Sequence, residues 1–250
     1  MTQTSFTKEP NKLIPSNYFV AYLDILGASK YMQDNSEQFL NDLNVIYENA
    51  MNDVIFTNVL SKKDIAIKIF SDNILIAVKT TKQDTDRQSK LVKIINLVGN
   101  LYCNALRLGY LVRGSITEGK FYRNKTFVYG KALVEAVKLE EKIAIYPRVI
   151  IQDNLVSLIP QYIAQDSDRK YYLNCFIFTK TFDNTTFKLR ILNQLTKCSN
   201  NEEITQKIMW LVTYFNNFQQ SLYSNNVEQL EISQQELNEA LNITSEVNHE

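Results

Sequence analysis

Apolar residues run almost without a break through "NYFVAYLDILGASKY", residues 17 to 31, and predict a buried strand over 17–26. Asp24 interrupts that run near its end, just before a glycine, where an unpartnered carboxylate is costly to bury. The period then changes. In "SEQFLNDLNVIYENAMN", 36–52, Phe39, Leu40, Leu43 and Ile46 fall at helical spacing behind Ser36 as a cap. "DIAIKIFSDNILIAVK", 64–79, reads as two short strands around a tight turn at Ser71-Asp72-Asn73. Residues 85–108 read as a long amphipathic helix, 110–119 and 125–130 as strands, 131–145 as a helix and "RVIIQ" as a strand. The order β-α-β-β-α-β-β-α-β predicts an α+β fold, ferredoxin-like, with a mainly antiparallel sheet and added pieces.

Past residue 155 the pattern is weaker. "KYYLNCFIF" and "FKLRIL" read as strands, 202–223 as a helix carrying Met209, Trp210, Val212, Phe215 and Phe218, and 233–242 as a last short helix. Polar loops are expected around 80–88 and 197–203.

Composition narrows the chemistry. The 250 residues suit one large domain, or one with a helical appendage. Lysine plus arginine equal aspartate plus glutamate at 27 each, so no net basic field points to nucleic acid or to a membrane. The first residues are polar, no run approaches a membrane span, and a cytoplasmic protein is expected. Cys103, Cys175 and Cys198 are widely spaced without a CxxC pair, which argues against disulfide and zinc frameworks. The one histidine is His249, so Ser-His-Asp and Cys-His catalysis and HExxH zinc sites are excluded. Chemistry is left to carboxylates, lysine, arginine, hydroxyls and hard ions such as magnesium or manganese.

Asp24 and Asp72 are the candidates for such an ion. Both sit at strand ends beside turn residues, and on antiparallel neighbours such ends can converge. With no arginine near, two converging carboxylates repel unless a cation lies between them. The other reading is a pair of ordinary turn aspartates.

Four segments carry a resemblance. "YLDILGASKY" resembles the first metal-binding segment of the class III nucleotidyl cyclases, and "IKIFSDNILIA" the second, with aspartate in a hairpin turn. "LVRGSITEGKFY" resembles the strand that follows, and "FVYGKALVEAVKLEEK" the family's strand, glycine and helix. The wording of "RGSITEG" and "YGKALVEAVKLEE" is most similar to the bacterial anti-phage pyrimidine cyclases of Pycsar systems, which make cyclic UMP or cyclic CMP.

The resemblance implies a cyclase-like catalytic domain over 17–155, after a flexible N-terminus at 1–16 and before a C-terminal strand and helix extension at 156–250 packed on the same domain. It implies two divalent metal ions (Mn²⁺ or Mg²⁺) held by Asp24, Asp72 and the Ile25 carbonyl. Backbone N–H groups at Gly27 and Ala28, opening toward a helix, would meet phosphate. It further implies a homodimer with sites at the interface, a nucleoside triphosphate substrate, and a separate cyclic-nucleotide-binding effector that reads the product. Lys68 falls at the family's base-reading position; the other reading is a solvated strand lysine. Phe127 falls at the second such position, where purine cyclases commonly place a polar residue. A phenylalanine stacks but reads no hydrogen-bonding edge, and plain core is its other reading. Tyr22 and Tyr129 line the pocket or belong to an aromatic core.

The helix after Gly130 departs from the family, which places asparagine and arginine one turn apart where this chain has Val134 and Lys138. Lys138 remains a point charge for the reacting phosphate, supplied from the partner subunit, and Arg113 is a second candidate. For Arg113 the alternative is an ion pair with Glu118 or Glu135. Three functions follow: a cyclase of UTP or CTP, a purine cyclase, and a non-catalytic cyclase-like nucleotide sensor.

Overall fold

The computed structural model describes residues 12–56, 65–80, 84–179, 183–222 and 230–242. The expectation for residues 1–16 therefore falls mostly outside the described residues. Strand β1 (Ser16–Ile25) is followed by helix α1 (Ala28–Phe56), the hairpin β2 (Ile65–Phe70) and β3 (Asn73–Lys79), helix α2 (Asp84–Leu108) and strand β4 (Val112–Arg123). These six elements give the βαββαβ order. Their sheet order, β2-β3-β1-β4 with every neighbouring pair antiparallel, is the ferredoxin-like arrangement.

Side-chain alternation along β1 divides the molecule. Phe19, Ala21, Leu23 and Ile25 enter the main core with α1 and α2, while Tyr18, Val20 and Tyr22 belong to the opposite face. The aspartate at position 24 takes that second face by the same count, and Leu75 and Phe121 share it.

The chain continues through β5 (Val128–Tyr129), α3 (Lys131–Lys142), β6 (Val149–Ile151), α4 (Asp153–Val156), β7 (Ile163–Gln165) and β8 (Tyr171–Leu173). Helix α3 crosses over so that β6 lies parallel to β4, the one parallel pair in the described sheet, which then runs on through β8 to β7. The fold is α+β with a mostly antiparallel sheet, as expected. Gly130 makes the entry to α3 possible: its φ is 146°, and a Cβ there would strike the Lys120 carbonyl oxygen.

Several local expectations are corrected. Helix α1 starts before residue 36, and its two parts meet at Asn35, whose φ and ψ of −156° and 74° are non-helical. Asn35, rather than Ser36, caps the second part, its Oδ1 accepting from Gln38 N at 3.2 Å. The strand expected at 125–130 shrinks to two residues, because Asn124 folds the preceding segment into a turn. "KYYLNCFIF" is a strand only to Leu173, after which Cys175–Phe178 forms a 3₁₀ turn. "FKLRIL" is not a strand but lies within α5 (Asp183–Cys198), where Phe187, Ile191 and Leu195 recur every four residues on the buried face. Helix α2 begins at Asp84, inside the stretch expected as a polar loop. The last two elements, α6 (Glu202–Leu222) and α7 (Gln234–Ala240), match their expectations; α7 starts with a capping box between Ser233 and Glu236.

A second core joins these helices to α2. Cys103, Leu106 and Leu111 pack with Phe176, Phe187, Ile191, Ile208 and Phe215. Arg148, whose side chain is 0% exposed, fastens the arrangement. It pairs with Asp166 and with Asp168 at 2.5 Å, and donates to the Ile143 carbonyl at 3.1 Å. Asp166 also accepts from Trp210 Nε1 at 2.7 Å, and Trp210 lies parallel to the Tyr146 ring at 5.6 Å. A buried guanidinium with two carboxylates and two aromatic faces is held by charge and by stacking.

Candidate functional site

The end of β1 meets the starts of both its antiparallel neighbours, so residues far apart in sequence converge there. Asp24 is in register with Asn73 of β3 and with Arg113 of β4. Asp72 is the second residue of the two-residue turn before Asn73, and its carbonyl accepts from Ile25 N at 3.3 Å. Ser71, the first turn residue, carries the positive φ of 59° that such a short hairpin favours. The Asp72 carboxylate is oriented by Asn73 Nδ2 at 3.0 Å and lies beside that of Asp24. Burial raises the Asp24 carboxyl above its ordinary range; Arg113 opposes this by hydrogen bond and charge, and Asp72 adds to it.

The expectation that no arginine lies near the two aspartates is corrected. Arg113 donates from Nε to Asp24 Oδ2 at 3.0 Å. Nor does Arg113 pair with Glu118 or Glu135. Glu118 is held by Arg87, with contacts of 3.1 and 2.5 Å, and the second carboxylate at Arg113 is Glu140, with Oε1 at 2.7 Å from Nε. The sequence reading did not include Glu140. Its place follows from the way α3 lies along β4: Thr117 Oγ1 donates to the Ala132 carbonyl at 2.9 Å and Ser115 Oγ to the Ala136 carbonyl at 2.7 Å. Four helical residues rise about 6 Å and two strand residues about 6.6 Å, so the next such pair sets Glu140 over Arg113. The Glu140 side chain is 3% exposed, and burial pushes its carboxyl up to about 7 against the opposing pull of Arg113.

The turn after β1 is built for a close approach. Gly27 has φ of 76°, and α1 begins at the next residue, Ala28, whose side chain is buried. First-turn amides of a helix have no intrahelical acceptor, so those of Ala28 and Ser29, four and five residues after Asp24, are available as donors for an anion.

Lys68, on β2, reaches the β4–β5 hairpin that carries Phe127. Lys68 is exposed and reaches the Lys125 carbonyl at 3.4 Å. Lys68, Leu75, Phe121, Arg123, Lys125 and Val128 are among the residues lining a cavity of about 570 Å³ on Asp24's face of the sheet. Phe127 is at the hairpin tip, where Asn124 Oδ1 accepts from its N–H at 2.6 Å. It is 55% exposed and Tyr129 is 69% exposed, so neither belongs to a core, and Phe127 does not line that cavity. Tyr22 is half-buried on the same sheet face, its ring 6.4 Å from that of Phe70.

Helix α3 turns Ala132, Ala136 and Glu140 toward the sheet, which leaves Lys131, Val134 and Lys138 on the outer side. Val134 and Lys138 instead border a separate cavity of about 700 Å³ together with Tyr129 and Gln152. The structure therefore does not bring Lys138 to Asp24 of its own chain.

Among the described residues no group of three or more histidine, cysteine or acidic side chains could hold a metal ion. Two adjacent carboxylates do suit a magnesium-type ion, which is commonly bound by one or two carboxylates and completed by phosphate and water. Burial is the main cause of the raised Asp24 carboxyl and the neighbouring Asp72 adds to it, and a cation at the pair would offset both. No described helix is long and apolar enough to cross a membrane.

No family model and no curated protein matches the chain. Among solved structures it is similar to the monomeric guanylyl cyclase domain of the RhoGC fusion protein from the aquatic fungus Blastocladiella emersonii, with 11% identity, TM-score 0.45, and coverage of 64% of this chain and 96% of that one. The guanylate cyclase domain of RhGC from Catenaria anguillulae in complex with GTP has 11% identity and TM-score 0.42, over 63% of this chain and 96% of that one. A class III adenylyl cyclase-like ATP-binding protein from Pseudomonas aeruginosa has 16% identity and TM-score 0.43, over 62% and 38%. Likenesses of this depth lend no weight to a function.

Proposed function

We propose that the chain is a metal-dependent nucleotidyl cyclase that converts UTP or CTP to the 3′,5′-cyclic monophosphate and pyrophosphate, as a second messenger in anti-phage defence. The observation that carries this reading is the meeting of the Asp24 and Asp72 carboxylates beside the N-terminus of α1. In the reaction the ribose 3′ hydroxyl loses its proton, its oxygen bonds to the α-phosphorus, and the bond from that phosphorus to the bridging oxygen breaks to release pyrophosphate. Two divalent ions of the magnesium or manganese kind, held by Asp24, Asp72 and the Ile25 carbonyl, would supply Lewis acidity to the hydroxyl and the triphosphate. The amides at Gly27 and Ala28 bind phosphate, and Lys68 and Phe127 position the base.

Lys138 faces away from its own acids, which supports a homodimer in which each α3 supplies Lys138 to the partner's Asp24 and Asp72. A phenylalanine at the hairpin lip offers no hydrogen-bonding edge where purine cyclases commonly place a polar residue, a departure compatible with a smaller base. The 570 Å³ cavity beside Lys68 has room for a purine as well, so adenylate or guanylate cyclase is the alternative substrate class. A second reading, a non-catalytic nucleotide sensor, is favoured by the Arg113 hydrogen bond that occupies Asp24 Oδ2.

Incubation with each of ATP, GTP, CTP and UTP plus Mn²⁺, with products resolved by mass, tests all three. Cyclic UMP or cyclic CMP, lost in Asp24→Ala and Asp72→Ala, is expected. A purine product transfers the reading to the alternative. Nucleotide binding with no cyclic product from any of the four leaves the sensor.

A further inference from the structure

Arg113 Nε has one hydrogen and two carboxylates around it. The hydrogen goes to Asp24 Oδ2 at 3.0 Å. Glu140 Oε1 is nearer the nitrogen, at 2.7 Å, yet it receives no hydrogen bond and is buried. An acceptor left unmatched beside a donor committed elsewhere has a definite cost. The two berths also differ in what else can use them. Asp24 adjoins Asp72 at the surface end of the sheet, whereas Glu140 is enclosed between α3 and β4. Glu140 is fixed in place, because α3 is anchored to β4 through Ala132 and Ala136.

We propose that Glu140 is a positioning residue that receives the Arg113 guanidinium when a divalent cation takes Asp24. This rests on Asp24 and Asp72 being cation ligands. A guanidinium held against Asp24 repels an arriving divalent ion and competes with it for the same carboxylate. A small rotation of the side chain transfers its hydrogen bond to the waiting Oε1. Asp24 is then released to the ion, and the unmatched buried acceptor is satisfied. Without Glu140, the carboxylate left for Arg113 among its described partners is Asp24 itself, and the ion must displace it.

The test is Mn²⁺ affinity of the full chain, measured with metal alone at about pH 8 by the paramagnetic resonance of free Mn²⁺, for wild type, Glu140→Gln, Arg113→Gln and the double variant. Glu140→Gln is expected to weaken binding roughly tenfold, the middle of the range for coupled residues in one network. In the Arg113→Gln background the same change should have an effect under about twofold, because no guanidinium is left to compete. Equal affinity of wild type and Glu140→Gln overturns the inference. So does an equal drop in both backgrounds, which would be a plain loss of negative charge. Absence of Mn²⁺ uptake by wild type overturns the metal reading of Asp24 and Asp72 and the inference with it. Should Glu140→Gln not fold, Glu140→Asp keeps the charge, withdraws the carboxylate by one methylene, and carries the same two expectations.

Discussion

Asp24 and Arg113 stand opposite each other on adjacent antiparallel strands, joined by a hydrogen bond of 3.0 Å. They are 89 residues apart in sequence, and the register of β1 on β4 alone makes them neighbours. The strand-end acid thus has a counter-charge without any metal, and that counter-charge is shared with a buried glutamate.

That glutamate makes stability depend on pH. The folded-state value of Glu140, about 7, lies above its ordinary 4.5. Between the two, the folded chain holds a proton that the unfolded chain has released, so stability falls as pH rises through this range. Asp24 is shifted in the same direction. Glu140→Gln should therefore melt higher than wild type at about pH 8, by on the order of 2 kcal/mol, with the gap closing near pH 5. Thermal melts across this range would decide it, and parallel pH profiles of the two proteins would remove the buried-charge account.

Phe127 is held at a hairpin tip by backbone hydrogen bonds to Asn124, not by packing. Phe127→Ala should leave stability within about 0.5 kcal/mol of wild type. If the ring stacks on the base, the KM for the preferred nucleotide should rise about fivefold or more, since such stacking is worth roughly 1–3 kcal/mol. Unchanged KM would take Phe127 out of the binding site.

The outward face of α3 predicts complementation between copies. Asp72→Ala and Lys138→Ala should each abolish cyclisation alone. Mixed in equal amounts, they should recover about a quarter of wild-type turnover, because half of randomly paired two-fold dimers are mixed and each has one intact site of two. No recovery on mixing, with both variants dimeric, would place Lys138 outside the partner's site.

Arg148→Ala leaves Asp166 and Asp168 without their guanidinium and opens a gap beneath Trp210. The carboxylates left behind keep contact with water, so losing the buried guanidinium should cost about 1–3 kcal/mol and the variant should unfold at lower urea concentration. A shift below about 1 kcal/mol would mean that the stacked Tyr146 and Trp210 hold the region without it.

The core βαββαβ order was legible because long elements display their period: β1 in its apolar run, α2 in its amphipathic face. Shorter windows misled. In "FKLRIL" apolar and basic residues alternate like a strand, yet Leu189 is exposed and the helical repeat of Phe187, Ile191 and Leu195 emerges only over nine residues. The convergence of Asp24 and Asp72 was legible because strand ends beside turns are visible locally. Arg113 as their neighbour was not, because cross-strand register leaves no local trace. Glu140 did leave one: Ala132, Ala136 and Glu140 form a stripe at four-residue spacing, two small residues and an acid, on the face that meets the sheet.

Helix α2 is a party wall. Leu91, Ile94, Val98 and Leu101 serve the sheet on one side, and Cys103 and Leu106 serve α5 and α6 on the other. A shortened chain ending near residue 155 would bare that second side to water, and exposed apolar surface of that kind promotes aggregation. The segment bearing both aspartates is thus no portable cassette. Grafting it elsewhere, or trimming its carboxy-terminal helices to make a minimal form, means redesigning the outer half of α2 first.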